Sequence, residues 1–230
     1  MQSILKIHER PDPALVAALS QYGTAMIADA MGRFGALAPY IRPLRTGTRI
    51  AGPAVTVQTY RSDNLMLHVA LELAEAGDIL VANTGEVENA GLWGDLMTHM
   101  ALRKGLGGLV TDGAVRDSAQ LRESGFGVFS KSVCPMGGFK QSAGSVNHTI
   151  SCGGVSVSPG DIIIGDDDGV VVVPLLQAQE VLSTCEKKYA KESAAIHAMD
   201  GGKSLFEVLG LPEALGALGL ELPCKEENGI

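Results

Sequence analysis

Three side chains in this sequence have the types and spacing to do chemistry on a small anion: Asp95 and, after twenty intervening residues, the pair Arg116-Asp117. Two carboxylates offer hard oxygen ligands to Mg²⁺ or Mn²⁺, and Mg²⁺ commonly takes one or two carboxylates and keeps several waters. Arg116 is a permanent planar cation, suited to a developing oxyanion or enolate. Asp95 falls in the first turn of a predicted helix, whose first N–H groups have no acceptor inside it and can receive an anion such as a substrate carboxylate. The same spacing also fits a structural arrangement, an aspartate capping a helix and an Arg-Asp ion pair in a strand-to-helix loop. The residues alone leave both open.

The elements that must position these groups lie in WGDLMTHMALRKGLGGLVTDGAVRDSAQLR. Leu96, Met97, Met100 and Ala101 have the spacing of an apolar helical face, and Arg103-Lys104-Gly105 closes it as a cationic last turn. Residues 107–111 form a short apolar strand and Asp112-Gly113 the turn after it. Asp117 followed by Gln120 has the spacing of a capping pair opening the next helix. In open α/β folds ligands collect where strands end and helices begin.

The flanking chain supplies the frame. Asp12-Pro13 starts a helix over residues 14–21, and a second starts at Thr24. Residues 48–60 alternate around Gly52-Pro53, which predicts a strand at a sheet edge or bulged at the proline. Asp63-Asn64 caps a helix carrying Leu65, Leu67, His68 and Leu71, and residues 79–82 form a buried strand. His68 is expected in the core, bonded to a backbone carbonyl, and His99 in solvent. Glu86 and Glu88 belong to a polar loop feeding the Asp95 helix and are expected to face solvent. Residues 127–130 form a strand, and 135–147 a Gly/Ser-rich loop able to cover a pocket. A second sheet is predicted from 155–157, 161–165 and 170–173. The run Asp166-Asp167-Asp168 invites a metal, but EF-hand spacing is absent and Asp-Gly between β-branched runs signals a hairpin. Pro174 opens the longest helix, 175–199, with an apolar stripe through Ala178, Leu182, Cys185, Tyr189, Ile196 and Met199. Glu192 falls in step on that stripe, costly if buried unless it is bonded, with Lys188 at i−4 as the alternative partner. Two short helices follow at 205–209 and 212–218.

Composition bounds the partners. The 230 residues fit one domain with a decorated terminus, here a domain over 1–202 and a helical extension over 203–230. A net charge of −8 without a basic stripe argues against nucleic acid as the main partner. Cys134, Cys152, Cys185 and Cys224 have neither paired spacing nor nearby metal-spaced histidines, so they read as buried free thiols of a reducing compartment. Lys6, Glu9 and Arg10 interrupt the apolar core a signal peptide needs, and no apolar stretch is of membrane length. The expected location is cytoplasmic, with no membrane partner.

Asp95, twenty residues, Arg116-Asp117, set in WGDL and VTDGAVRD, resembles the class II pyruvate aldolases that cleave 4-hydroxy-4-methyl-2-oxoglutarate and 4-carboxy-4-hydroxy-2-oxoadipate. These share a fold with the RraA-type regulators of ribonuclease E. The likeness extends through DNLMLHVALELAEAGDILV, CGGVSVSPGDIII and DDDGVVVVP and covers residues 24 to 202. The regulator branch tends to keep the arginine and lose the acid after it, whereas this chain has Asp117. The resemblance implies an α/β fold of the three-layer β/β/α swivelling type, in homotrimers or homohexamers with sites at subunit interfaces. It implies Mg²⁺ or Mn²⁺ on Asp117, with Asp95 and a neighbouring subunit's acid, matched here by Glu192, holding its waters. It further implies a substrate-binding turn of Gly94, Asp95, Leu96 and Met97, with the last two amides on the substrate carboxylate. Arg116 would stabilise a pyruvate enolate left by retro-aldol cleavage or oxaloacetate decarboxylation of a small 2-oxo acid. A non-catalytic regulator and a relative acting on another oxo acid remain open.

Overall fold

The computed structural model describes residues 3–7 and 9–222. Its elements are α1 (Pro13–Leu19), α2 (Thr24–Ala30), β1 (Arg42–Pro43), β2 (Ile50–Gln58), α3 (Leu65–Leu73), β3 (Ile79–Asn83), β4 (Gly91–Trp93), α4 (Asp95–Lys104), β5 (Gly108–Thr111), β6 (Ala114–Val115), α5 (Ser118–Glu123), β7 (Val128–Ser130), β8 (Ser132–Val133), β9 (Ser145–Val146), β10 (Ile150–Cys152), β11 (Val155–Val157), β12 (Ile162–Asp166), β13 (Gly169–Val173), α6 (Ala178–Asp200), α7 (Leu205–Val208) and α8 (Leu211–Ala217). The chain divides into two compact units between Cys185 and Glu186.

The first unit is built on a mixed sheet in the order β1-β7-β5-β3-β2-β12-β13, with β9 also on β2. Strands β2, β3, β5 and β7 are parallel, and β12 joins β2 antiparallel. Alternation sorts the strand residues to two faces. Val55, Val57, Leu80, Ala82 and Leu109 pack with Leu67, Leu71 and Ala101 of the helical layer. Ala54, Ile79, Val81 and Val110 pack with Ile150, Cys152 and Val157 of the β10–β11 hairpin. Both faces are covered, which is why β3 reads as a continuous apolar run. The result is the β/β/α architecture expected. Among the described residues, no helix is long and apolar enough to cross a membrane.

Three predicted features differ. Strand β2 is central rather than an edge: residues 50–53 pair with β12 and residues 54–58 with β3, so Pro53 falls where one ladder hands over to the other. Strands β12 and β13 extend the main sheet through β2 instead of joining β11, which among the described residues pairs with β10 alone. The stripe of α6 is buried at Ala178, Val181 and Cys185, but Tyr189 is 59% and Ile196 53% exposed, and Glu192 is exposed. The desolvation cost inferred for Glu192 therefore does not arise within the chain. Among the described residues Cys134, Cys152 and Cys185 form no disulfide, and Cys134 is half-buried rather than in the core; Cys224 lies outside the described residues.

Candidate active site

A small parallel sheet in the order β4-β6-β8 carries the site. Strand β4 runs into Gly94 and α4; β6 runs into Arg116, Asp117 and α5. The two junctions are tied by the Arg116 N–H, which donates to the Trp93 carbonyl at 2.8 Å. Trp93 is 1% exposed, donates from Nε1 to Thr98 Oγ1 at 2.7 Å and stacks on Phe126 at 6.1 Å. An indole buried and bonded in this way fixes the start of α4, and truncating one typically costs about 3–5 kcal/mol. The turn before β6 is fixed too. Asp112 Oδ1 accepts from Thr84 N and Oγ1 at 2.7 and 2.8 Å, and burial pushes its pKa up despite those donors.

Asp117 does not behave as the cap expected of it. It occupies the N-cap position of α5 with φ 56°, in the left-handed region, and its side chain makes no cap bond; the pairing with Gln120 does not form. Instead Oδ2 accepts the Asp95 N–H at 3.0 Å, across in α4, and lies 3.5 Å from Arg116 Nε. The left-handed backbone costs about 1–2 kcal/mol outside glycine, somewhat less for aspartate. The Arg116–Asp117 pair is about 40% exposed on each side, and such pairs contribute only about 0.2–1 kcal/mol. The pair alone does not offset the strain, and strain of this kind accumulates at functional positions. Gly94 makes the approach possible, since a Cβ there would stand 2.5 Å from Asp117 Oδ2 and 3.0 Å from Arg116 Nε.

The first turn of α4 is left facing outward. Thr98 N–H bonds to Gly94 O at 3.1 Å and Asp95 N–H goes to Asp117. Among the described residues, the N–H groups of Leu96 and Met97 have no acceptor. The apolar face predicted for this helix is rotated: Met97, Thr98 and Ala101 are buried, whereas Leu96 is 82% and Met100 44% exposed. Asp95 is exposed. Gly94, Asp95, Leu96, Met97, Arg116 and Asp117 thus converge at one strand-end, while Glu192 lies in the second unit.

One contributor escaped the sequence. The 135–147 loop crosses Arg116 at Gly137, where a Cβ would come within 2.7 Å of Nη1. The Arg116 side chain is therefore closely approached by Gly94 at Nε and by Gly137 at Nη1. The only sequence signal was the Gly137-Gly138 doublet.

Other candidates resolve differently. His68 is half-buried and its Nε2 has no partner among the described residues, rather than the carbonyl bond expected; burial and then Lys140 lower its pKa. His99 is exposed, as expected. Glu86 and Glu88 are half-exposed but not merely solvated, since both pair with Lys131 Nζ at 2.7 and 3.1 Å and raise its pKa. Asp166 caps α2 through Thr24 N and Oγ1, Asp167 receives Gly47 N–H, and the turn they form is the β12–β13 hairpin. No group of three or more His, Cys, Asp or Glu among the described residues could hold a metal ion. What the site offers is one or two aspartates open to water, a donor set that suits a hard divalent cation keeping most of its waters and not a closed cage.

Fold and site together define an α/β protein that carries an arginine, two aspartates and an open helix start at the ends of parallel strands. Residues 24–172 match the profile of the RraA-like family, Aldolase/RraA, and the chain belongs to that family. A relative from Halalkalibacterium halodurans, named "Putative 4-hydroxy-4-methyl-2-oxoglutarate aldolase", is 37% identical over 171 residues, 74% of this chain and 81% of that protein. The solved structure of Streptomyces coelicolor RraAS2, described as an unusual member of the RNase ES inhibitor RraA protein family, is 31% identical with TM-score 0.74, covering 81% of this chain and 98% of that one. An uncharacterized Pseudomonas syringae protein is 26% identical with TM-score 0.77, over 87% and 99% of the two chains.

Proposed function

We propose that this protein cleaves a 4-hydroxy-2-oxo acid, 4-hydroxy-4-methyl-2-oxoglutarate or 4-carboxy-4-hydroxy-2-oxoadipate, to pyruvate and a second 2-oxo acid, with oxaloacetate decarboxylation as a side activity. The observation that carries this is the carboxylate of Asp117, turned off its own helix and onto the first amide of α4 beside Arg116. A structural cap would have bonded its own helix. The name of the Halalkalibacterium relative supports the same reading.

Asp117 would hold Mg²⁺ or Mn²⁺ directly, with Asp95 and the partner subunit's Glu192 on its waters. When bound, the ion supplies a Lewis acid that polarises the 2-oxo group. The free N–H groups of Leu96 and Met97 bind and orient the substrate carboxylate. The C4 hydroxyl proton passes to a water held by the Asp95 carboxylate. The C3–C4 bond then breaks, C4 becomes the keto carbon of one product, and the electron pair enters the enolate of pyruvate. Arg116 stands against the charge on the enolate oxygen, and a proton returned to C3 completes pyruvate. With oxaloacetate, CO₂ leaves in place of the second oxo acid and the enolate is the same.

Pyruvate release coupled to lactate dehydrogenase tests the reading across oxaloacetate and a panel of 4-hydroxy-2-oxo acids. EDTA should lower the rate by about two orders of magnitude or more, and added Mg²⁺ or Mn²⁺ should restore it. A regulator without catalysis would release no pyruvate from any of them.

The subunit arrangement, a homotrimer or homohexamer sharing its sites, has its own expected result. Asp117→Asn and Glu192→Gln chains, each nearly inactive alone, should regain activity when co-expressed. In a cyclic assembly mixed at random from equal amounts, about a quarter of the boundaries pair an intact Asp117 with an intact Glu192. Mixed oligomers verified by mass and no more active than the average of the two parents would rule out the trans arrangement, and a fully active Glu192→Gln chain would show that the acid is dispensable.

A further inference from the structure

The 135–147 loop is fastened at a second point, and one buried carboxylate makes the fastening. Asp63 is 2% exposed and stands just before α3. Its Oδ1 accepts the N–H of Leu65, the first residue of α3, at 2.9 Å and so satisfies one of the helix's unpaired amides. Its Oδ2 reaches outside the helix and accepts the N–H groups of Gln141 at 2.6 Å and Ser142 at 2.9 Å. Two backbone bonds flank this grip, Asn64 N–H to Phe139 O at 2.9 Å and Phe139 N–H to Ser62 O at 2.8 Å. Toward the site the same segment is joined to β4 by Gly91 N–H to Met136 O at 2.7 Å. Residues 136–142 are therefore a strap tied at both ends, and between the ties Gly137 stands against Arg116.

The grip is strong for a single side chain. Burial works to raise the Asp63 pKa, but the backbone donors of Gln141, Leu65 and Ser142 outweigh it and hold the carboxyl below its usual range. It is ionised at neutral pH and its bonds are charge-assisted.

We propose that Asp63 is a positioning residue, which by fastening residues 136–142 holds Gly137 against the Arg116 guanidinium and keeps that cation aimed at the reacting oxygen. The catalytic consequence rests on the aldolase reading; the mechanical link does not. Without the strap, Arg116 keeps its contact with Asp117 and loses the backbone across from it, so the guanidinium can swing away from the first turn of α4.

The test uses the full-length chain, with Asp63→Asn as the main variant. Asn keeps the size and an acceptor for Leu65, but its amide turns N–H toward the N–H groups of the strap. Three measurements follow it: trypsin cleavage at Lys140–Gln141, the bond beside the gripped amide; phenylglyoxal labelling of Arg116 read by mass spectrometry; and steady-state kinetics. Cleavage and labelling should each rise about tenfold, as expected when a local opening becomes about tenfold more populated. Turnover should fall about tenfold with KM shifted far less, because a misaimed cation is lost mainly in the transition state. Gly137→Ala displaces Arg116 from the other side, its Cβ falling 2.7 Å from Nη1, and should reproduce the kcat loss with Lys140–Gln141 cut at the wild-type rate. Asp63→Ser, which keeps an acceptor for the Leu65 N–H but cannot reach the strap, replaces Asp63→Asn if that variant unfolds. Unchanged cleavage overturns the proposal, and so does a freed strap with Arg116 labelling unaltered. A wild type inactive on every oxo acid would sink the aldolase reading instead, with the labelling still deciding the link between Asp63 and Arg116.

Discussion

Asp117→Asn is expected to lower metal-dependent pyruvate release by about two orders of magnitude or more, because a hard divalent cation gains most from a charged oxygen ligand. The fold should survive. Asparagine is among the few residues that accept the left-handed backbone found here, φ 56°, and its Oδ1 can still take the Asp95 N–H. The αL position at the head of α5 is kept, and since Asp117 makes no cap bond to its own helix, no cap is lost. The substitution therefore separates charge from shape. Calorimetric titration with Mg²⁺ alongside the oxaloacetate assay checks it: metal affinity and turnover should fall together while the melting temperature stays within a few degrees. Unchanged affinity and turnover would leave Asp117 as a linker between two helix starts and nothing more.

The parts of this protein legible in the sequence are those set by local periodicity and turn chemistry. Asp12-Pro13, the Gly105 stop of α4 and the β12–β13 turn all lie where short-range rules put them. What was not legible depends on partners distant in the chain. Residues 48–60 look like a strand at an edge or bulged at the proline because a proline removes a donor, yet β2 is central and changes partners at Pro53. The α4 face was misassigned because Leu96 and Met100 share helical spacing as well as Met97 and Ala101 do, and only the approach of the sheet selects between them. At the site, spacing placed Asp95, Arg116 and Asp117 at one strand-end, but the turning of Asp117 onto the neighbouring helix and the seating of Gly137 on Arg116 follow from backbone conformation and a contact 21 residues away. Glu192 shows the opposite limit. Its place on a stripe is legible, whereas the stripe's exposure beyond Cys185 is a property of the folded chain.

Arg116→Lys keeps the charge and should still cost turnover roughly one to two orders of magnitude. Removing an oxyanion donor outright costs about 2.7–4 kcal/mol, or 10²–10³ in kcat, and lysine retains part of that. The part lost is geometric. The guanidinium is flat, its Nε lying too close to Gly94 and its Nη1 too close to Gly137 for either to carry a Cβ, while Nε stays 3.5 Å from Asp117 Oδ2. That arrangement lets one face of the fork stay with the acid while the other nitrogens meet a second oxygen. An ammonium has no such fork: it can sit by Asp117 or by the enolate, and the neighbouring carboxylate competes for it. Because the enolate charge exists only after bond cleavage begins, the loss should appear in kcat, with KM changed by less than about threefold. Steady-state kinetics on oxaloacetate, where no distal substrate group contributes, gives the cleanest separation. A raised KM with kcat intact would assign Arg116 to the resting substrate carboxylate, and the enolate oxygen would then face the open first turn of α4, whose Leu96 and Met97 N–H groups become the next residues to test.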